Sequence, residues 1–422
     1  MARSRLVLLL AAFCLAGSAF APTAGARGLL DPRFGENGVV ELLPLSERGE
    51  ALVYPVAKAD GSVYVGEDRQ TCPRPSCGYR SFVRRFGPDG KPDAKFGSLY
   101  LGASDYATGI VTNFELDGRG GLLVSRSAKG RGAVLRRLLV PRGVFDRRFG
   151  DGGSLFLPCR CQSVGVSMTP DGRLLVSGSN EIRYGGRYRG SVWIYRRIGR
   201  DGRPDRSFGG DGEVRLRMPG FAAPSFQFLP GGGLVLAGEK CCNGYITALQ
   251  PYLMRLSSRG RLDRRYGEAA KRSFKGLYET RPEDVGWEGF QLIVRRGGKV
   301  EIYGAAYAHG VAMRLRADGR RDPSFAGDGV RLLKIELSDA ASDGAGGTFV
   351  VGYQRAEGVI HLLPNGEQDR SFGFVQTPGV GSEYGASIQP FGPRAALVFG
   401  DNYYLCRSDC TGYPAMARVV LR

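Results

Sequence analysis

The stretch PDRSFGGDGEV, residues 204–214, decides the fold, because versions of it recur along the whole chain. It reads LDPRFGENGVV from Leu30, PDAKFG from Pro92, FDRRFGDGG from Phe145, LDRRYG from Leu262, RDPSFAGDGV from Arg321 and QDRSFG from Gln368. The common core is Asp-x-x-Phe/Tyr-Gly/Ala, anchored on Asp31, Asp93, Asp146, Asp205, Asp263, Asp322 and Asp369. Successive anchors lie 62, 53, 59, 58, 59 and 47 residues apart. Self-similarity at such a period marks a repeat architecture, in which each copy is one supersecondary unit.

The unit around Asp205 shows the internal order most clearly. Residues 164–169 read as a strand, Pro170-Asp171-Gly172 as a tight turn and 174–178 as a second strand. A variable loop leads to a third strand at 191–198, Asp201-Gly202 turns the chain, and a fourth strand follows the motif at 213–217. Asp-Gly pairs supply the positive φ angles and the side-chain-to-backbone bonds that such turns need. Four short strands per repeat predict a propeller blade. The first motif has no three strands before it, and the last unit ends on a third strand at 415–420. Residues 39–43 can supply its missing fourth. The expected fold is therefore all-β: a seven-bladed β-propeller of four-stranded blades, with the ring closed by the N-terminal strand pairing with the C-terminal blade.

A second register precedes the motif. Arg85, Arg197, Arg255, Arg314 and His361 stand eight residues before their aspartates, and Arg137 nine before Asp146. A basic side chain late in the third strand and an Asp just past its turn would meet in a charge-assisted hydrogen bond. Aligning the last strand puts Arg418 in this register and predicts a clamp onto Asp31. A ring of arginines gripping an anion is the functional alternative; a device that pins the turn of every blade fits seven equal copies better. The motif aromatics Phe34, Phe96, Phe149, Phe208, Tyr266, Phe325 and Phe372 are expected between blades, each burying roughly 2–3 kcal/mol of transfer free energy. Asp201, Asp205 and Asp211 lack the spacing of a calcium loop and are read as turn caps.

The repeated phrase, with a strand ending in Arg-Leu-x-x-x-Gly ahead of it, resembles the delta-60 repeat family of bacterial propeller-type proteins. The resemblance spans nearly all of residues 27–422 and implies architecture; that family has no shared catalytic residues to carry over. Copies at Asp93, Asp263 and Asp369 lose the Gly-Asp-Gly tail, which leaves their turn geometry open.

Arg3 and Arg5, an apolar run and small residues up to Ala26 read as a secretory signal peptide over 1–26, leaving a single propeller domain at 27–422 that is secreted, periplasmic or held at the cell surface. Beyond Cys14, eight cysteines fall into the pairs Cys72/Cys77, Cys159/Cys161, Cys241/Cys242 and Cys406/Cys410. An even count in an exported chain points to disulfides. Cys72–Cys77 and Cys406–Cys410 are expected to be local, while Cys159, Cys161, Cys241 and Cys242 leave two pairings open. The chain carries 59 basic and 41 acidic residues, a net charge of +18. That suits an anionic partner, yet no compact basic cluster with interleaved aromatics appears, and export argues against nucleic acid.

Neither a Gly-x-Ser-x-Gly elbow, a His-Glu-x-x-His pair nor a phosphate loop is present, and the histidines are His309 and His361. No cofactor, metal or catalytic residue is assigned. The cysteine pairs and the longest loops, 68–79, 180–190, 239–251 and 401–414, are expected together on the face opposite the Asp-Gly turns, where unequal loops on a rigid scaffold carry specificity. Tyr184, Tyr188, Tyr245, Tyr252, Tyr403 and Tyr404 suit a sugar or peptide there. The sequence thus predicts a monomeric, non-catalytic binding or scaffolding propeller for a glycan, peptide or protein ligand. The alternatives are a glycosidase or lyase with carboxylates converging from different blades, or a quinone-type dehydrogenase. The last is suggested by adjacent Cys241-Cys242 and disfavoured by a tryptophan content of only Trp193 and Trp287.

Overall fold

The computed structural model describes residues 28–42, 51–58, 60–70, 78–105, 111–117, 120–128, 131–140, 142–158, 163–184, 187–199, 202–218, 225–242, 245–275, 277, 285–306, 309–380, 386–391, 394–402 and 413–421. Residues 1–26, read above as a signal peptide, lie outside that set.

The chain is a seven-bladed β-propeller. The first blade is Ala51–Ala57, Val63–Gln70, Gly78–Phe86 and Ser98–Asp105, each antiparallel to the next. Blade two runs Val111–Leu116, Gly121–Ala128, Gly132–Leu139, with Ser154–Pro158 outermost. Blade three, Ser163–Met168, Leu174–Tyr184, Arg187–Ile198 and Glu213–Met218, matches the unit read from sequence. Blades five and six repeat the pattern from Val285–Val294 to Val330–Leu333 and from Glu336–Ser342 to Val375–Gln376.

Blade seven closes the ring. Its own strands are Ser387–Pro390, Ala395–Asn402 and Tyr413–Leu421. The fourth comes from the other chain end: Val39 pairs with Ala417, Val40 with Met416 and Glu41 with Ala415. Gly28–Leu30, just before the motif, pairs with Leu421, Val420 and Val419 on the same strand. That second contact was not foreseen. It has counterparts at the other motifs, where single bridges such as Ile198 to Pro204 and Leu315 to Arg321 sit just ahead of the aspartate.

Blade four departs from its siblings. After Ser225–Phe228, Leu234–Cys242 and Tyr245–Leu256, the chain forms the helix Arg264–Phe274 where a fourth strand was expected. The cause is local. In the six other copies the residue after the aromatic turns left-handed, with φ of 55° at Gly35, 65° at Gly97, 60° at Gly150, 71° at Gly209, 52° at Ala326 and 72° at Gly373. Such a residue ends a helical turn as a left-handed C-cap does. At the fifth copy, in blade four, Gly267 is followed by Glu-Ala-Ala-Lys, good helix formers. Asp263 therefore serves as an N-cap, accepting from the Tyr266 amide, and the single turn continues as a helix. The exposed edge beside it is covered at Ala248 and Leu249 by a parallel pairing with Val285 and Gly286, the start of blade five.

The core lies between blades. Phe208 sits among Leu175 and Tyr195 of blade three and Leu234 and Leu236 of blade four. Phe325 packs between Tyr303 of blade five and Val350 and Ile360 of blade six. Phe34 joins Val63 and Val65 of blade one to Leu397 and Met416 of blade seven. The repeated aromatic is the bolt that holds one sheet to the next.

Candidate functional site

The motif turn uses its residues in the same way seven times over. Each anchor amide donates to the carbonyl of the basic-register residue: Asp31 to Arg418 and Asp93 to Arg85 at 2.8 Å, Asp146 to Arg137 at 2.8 Å, Asp205 to Arg197 at 2.9 Å. Asp263 reaches Arg255 at 2.8 Å, Asp322 reaches Arg314 at 2.9 Å, and Asp369 reaches His361 at 2.8 Å. The anchor carboxylate then accepts from amides two or three residues on, as Asp205 does from Ser207 and Asp93 from Lys95 and Phe96. An Asp at this position is an Asx-turn former, and the repetition follows from that chemistry.

Side chains close the clamp in most copies. Arg85 meets Asp93 at 2.7 Å, Arg137 meets Asp146 at 3.0 Å, Arg197 meets Asp205 at 2.6 Å and Arg418 meets Asp31 at 3.0 Å. His361 lies 3.1 Å from Asp369 through Nδ1 and 3.1 Å from Asp343 through Nε2. Asp31 and Asp205 both sit below the usual carboxylate range. At Asp31 the Arg33 hydrogen bond is the main cause; at Asp205 burial pushes the other way and is outweighed by bonds from Ser207 and Arg197.

Two copies correct the sequence reading. Arg314 turns its fork to buried Glu301, with Nε at 2.8 Å and Nη2 at 2.5 Å, while Asp322 takes Lys299 at 2.7 Å. A carboxylate within the fifth blade's second strand outcompetes the turn. Arg255 is the other: its Nη1 donates to the Ala317 carbonyl at 2.7 Å, while Asp263 caps the helix by accepting from the Tyr266 amide.

The basic register also does something that its sequence did not announce. Arg418 donates to the Pro88 carbonyl, Arg197 to Ser258, Arg255 to Ala317 and Arg314 to Pro364, each a turn residue of the following blade. The motif glycine joins in: Gly35 donates to Asp89, Gly209 to Arg259 and Ala326 to Asn365, again one blade on. Guanidiniums stack on ring faces as well, Arg197 over Phe208 at 4.8 Å and Arg314 over Phe325 at 4.5 Å. Arg197, Arg255, Arg314 and Arg418 thus act as struts between blades.

The opposite ends of the strands carry the variation. What the sequence presented as loops at 180–190 and 239–251 are long β-hairpin arms. Leu174–Tyr184 pairs with Arg187–Ile198, and Leu234–Cys242 with Tyr245–Leu256, each with a bulge near its tip. The equivalent pair in blade six, Thr348–Tyr353 with Glu357–Leu362, has half that length. Tyr184, Tyr188 and Tyr245 stand on the long arms; their side chains, and Tyr403 and Tyr404 entirely, lie outside the described residues. Tyr252 needs correction: it packs against the core between blades three and four, together with Phe226 and Met254. Cys72, Cys77, Cys159, Cys161, Cys406 and Cys410, expected in disulfides, lie outside the described residues, as do the side chains of Cys241 and Cys242.

Three carboxyls with raised proton affinity carried no recognisable sequence signal. Burial pushes Glu115 up to about 7, although its Oε2 accepts from the Met168 amide at 2.8 Å. Asp339 is raised to about 6 by burial, against amide bonds from Ile388 and Ala340. Glu357 is raised to about 7 by burial, with Glu336 nearby adding to it. Glu115 and Asp339 each reach from the innermost strand of one blade to that of the next, which makes them ties before they are anything else. Among the described residues no group of three or more His, Cys, Asp or Glu is placed to hold a metal ion. Asp205 is engaged by Arg197 and Arg173, and Asp211 caps the Glu213 amide.

No family model matches the chain, and no curated protein does. Solved structures of similar fold exist. A protein of unknown function from Dyadobacter fermentans is 12% identical, with 91% of this chain and all of that one covered, at a TM-score of 0.42. The polysaccharide lyase Uly1 is 8% identical over 95% of this chain and 98% of its own, at 0.49. The β-propeller domain of the Trilobed protease from Pyrococcus furiosus, described as having an open velcro topology, is 8% identical over 82% and 91%, at 0.43. No helix among the described residues is long and apolar enough to cross a membrane.

Proposed function

We propose that this chain is an exported, non-catalytic binding propeller of the delta-60 repeat type, which takes its ligand on the face of the long hairpin arms. One observation carries the reading: Arg197, Arg255, Arg314 and Arg418 are engaged as struts between blades, while the arms of blades three and four extend well beyond the shorter pair of blade six. A rigid repetitive ring with unequal projections on one face is a scaffold for recognition. A glycan array probed with the whole protein tests it. Binding that disappears when residues 181–190 are replaced by a two-residue Asn-Gly turn supports the reading; binding that is unaffected by the replacement removes it.

A second reading rests on Glu357. Glu336, Tyr353 and Glu357 occupy one cross-strand row of blade six, and Tyr353 is 53% exposed. A carboxyl held protonated near neutrality beside an ionisable partner is what a glycosidase or lyase would use. Turnover of a polysaccharide panel that is abolished by Glu357→Gln would favour the enzyme.

A further inference from the structure

Where the last blade meets the first, on the side of the motif turns, the ring-closing seam holds an open cavity of about 440 Å³. Its wall includes Arg33, Asp60, Pro88, Phe391, Arg394 and Arg418. We propose that this cavity binds the carboxylate of an acidic saccharide, as a second site on the face opposite the hairpin arms; only the saccharide part of the claim rests on the binding function proposed above.

The charge balance points there first. Three guanidiniums line the cavity, and the carboxylates within reach are already committed. Asp60 is held by Lys58 at 3.0 Å and by the amide and hydroxyl of Ser62 at 2.9 and 2.6 Å. Asp31 is shared, taking Arg33 through Nε at 3.0 Å and Nη2 at 3.1 Å, and Arg418 at 3.0 Å. One carboxylate thus answers two guanidiniums, and among the described residues none answers Arg394. Arg418 spends Nη1 on the Pro88 carbonyl and Nη2 on Asp31, which leaves its buried Nε–H without an acceptor. The seam carries more donors and more positive charge than it can satisfy by itself.

The backbone supports the same conclusion. Arg394 has a φ of 66°, in the left-handed region that a β-carbon disfavours. Its carbonyl is pinned by the Leu421 amide at 2.8 Å, so the conformation is held by the closing strand. A long cationic side chain kept exposed on a strained turn beside a cavity is the kind of outlier that points to binding.

The geometry selects the ligand class. Guanidinium forks match a planar pair of oxygens better than a tetrahedral anion. Arg394 supplies the uncommitted fork of the lining, while Arg418, stacked 4.9 Å from the centre of Phe391 and held by Pro88 and Asp31, keeps the wall in place. The volume is at the small end of ligand sites and suits one or two sugar rings, and Pro88 and Phe391 offer apolar wall against a ring face.

Titration calorimetry at low salt tests the assignment with three probes: a trigalacturonate, the neutral trigalactose and inorganic sulfate. Two variants go with them. Arg394→Asn keeps a residue that tolerates the left-handed backbone, and Arg320→Asn removes a solvent-exposed arginine of a turn in blade five. Trigalacturonate should bind, trigalactose should not, and Arg394→Asn should weaken the acid about tenfold, the loss of one charged hydrogen bond. Arg320→Asn should bind as the parent does, and the ligand-free melting temperature of Arg394→Asn should be unchanged. Equal binding of the neutral sugar, sulfate binding as tight as the uronate, or unaltered affinity in Arg394→Asn overturns the proposal. Array binding that survives Arg394→Asn but is lost with the 181–190 arm would leave the general function standing and remove the seam site. An uronate signal lost in Arg394→Asn but untouched by the arm replacement would do the reverse.

Discussion

Removing the N-terminal closing segment should open the ring. In a chain beginning at residue 44, blade seven loses Gly28–Leu30 and Val39–Glu41, and with them Phe34, Val40 and Leu42, which are 0%, 9% and 1% exposed. At about 2 kcal/mol for each such side chain, the lost apolar burial alone is about 6 kcal/mol. The fully buried carboxylate of Asp31 leaves too, which strips Arg418 of its partner. The sum is an upper figure, because an unfolded chain already buries part of this surface. It is nonetheless comparable with the whole stability of a typical domain, about 5–15 kcal/mol. For a propeller of this size the specific entropy of unfolding converts 6 kcal/mol to a drop of about 7 °C in Tm. The truncated chain also exposes the backbone of Tyr413–Leu421 as a bare edge, an invitation to aggregate. Differential scanning calorimetry and light scattering, run beside a chain that begins at residue 27, measure both effects. A synthetic peptide of residues 27–44 added in trans should restore the lost stability and suppress the scattering. A truncated chain that melts within about 2 °C of the parent, where a drop of about 7 °C is due, and ignores the peptide would refute the closure argument.

Other outcomes follow from single sites. Gly209→Ala places a β-carbon against the Glu213 carbonyl at a φ of 71°, so urea unfolding should show a loss of about 1–2 kcal/mol; Ala326, held at 52° in the equivalent place, bounds that cost. Glu301→Gln leaves Arg295 and Arg314 buried without their shared carboxylate and should cost about 3–5 kcal/mol by the same measurement. The raised acids predict a pH dependence with a definite sign. Glu115 keeps its proton when folded up to about 7 but loses it near 4.5 when unfolded, so its contribution is full below about 4.5 and falls as pH rises towards 7. Its share is about 2–3 kcal/mol after discounting for partial solvent access. Tm should therefore rise from pH 7.5 to pH 5, and Glu115→Gln should flatten that limb. Below about pH 4 the lowered aspartates, Asp31 and Asp205 among them, reverse the trend, because folding then competes with protonation of the clamp. A Tm that climbs steadily from pH 5 to 8 would show that the raised carboxyls are not strained.

The periodic part of this molecule was legible before any coordinates. Asp-x-x-aromatic-Gly is a local device: the Asp side chain caps amides two and three residues on, the aromatic has to be buried, and the glycine has to turn left-handed. Those demands act over a handful of residues, so their recurrence counted the blades, and the missing strand at one end matched the surplus at the other. The pairing of Val39–Glu41 with Ala415–Ala417 followed from that count. Tertiary structure decided what local pattern leaves open. Nothing near Arg314 in sequence favours Glu301 over Asp322; that choice depends on a strand that passes beside it, and on the cost of leaving a fully buried carboxylate unpaired. Glu115 and Asp339 look like ordinary strand residues and become ties, with raised proton affinity, only because a neighbouring blade covers them. The helix in blade four, the hairpin arms read as loops, and the seam that gathers Arg33, Arg394 and Arg418 from both ends of the chain belong to the same class. A repeat sequence fixes each unit through short-range hydrogen bonding; which charges face one another across a closed ring is settled by packing between units far apart in the chain.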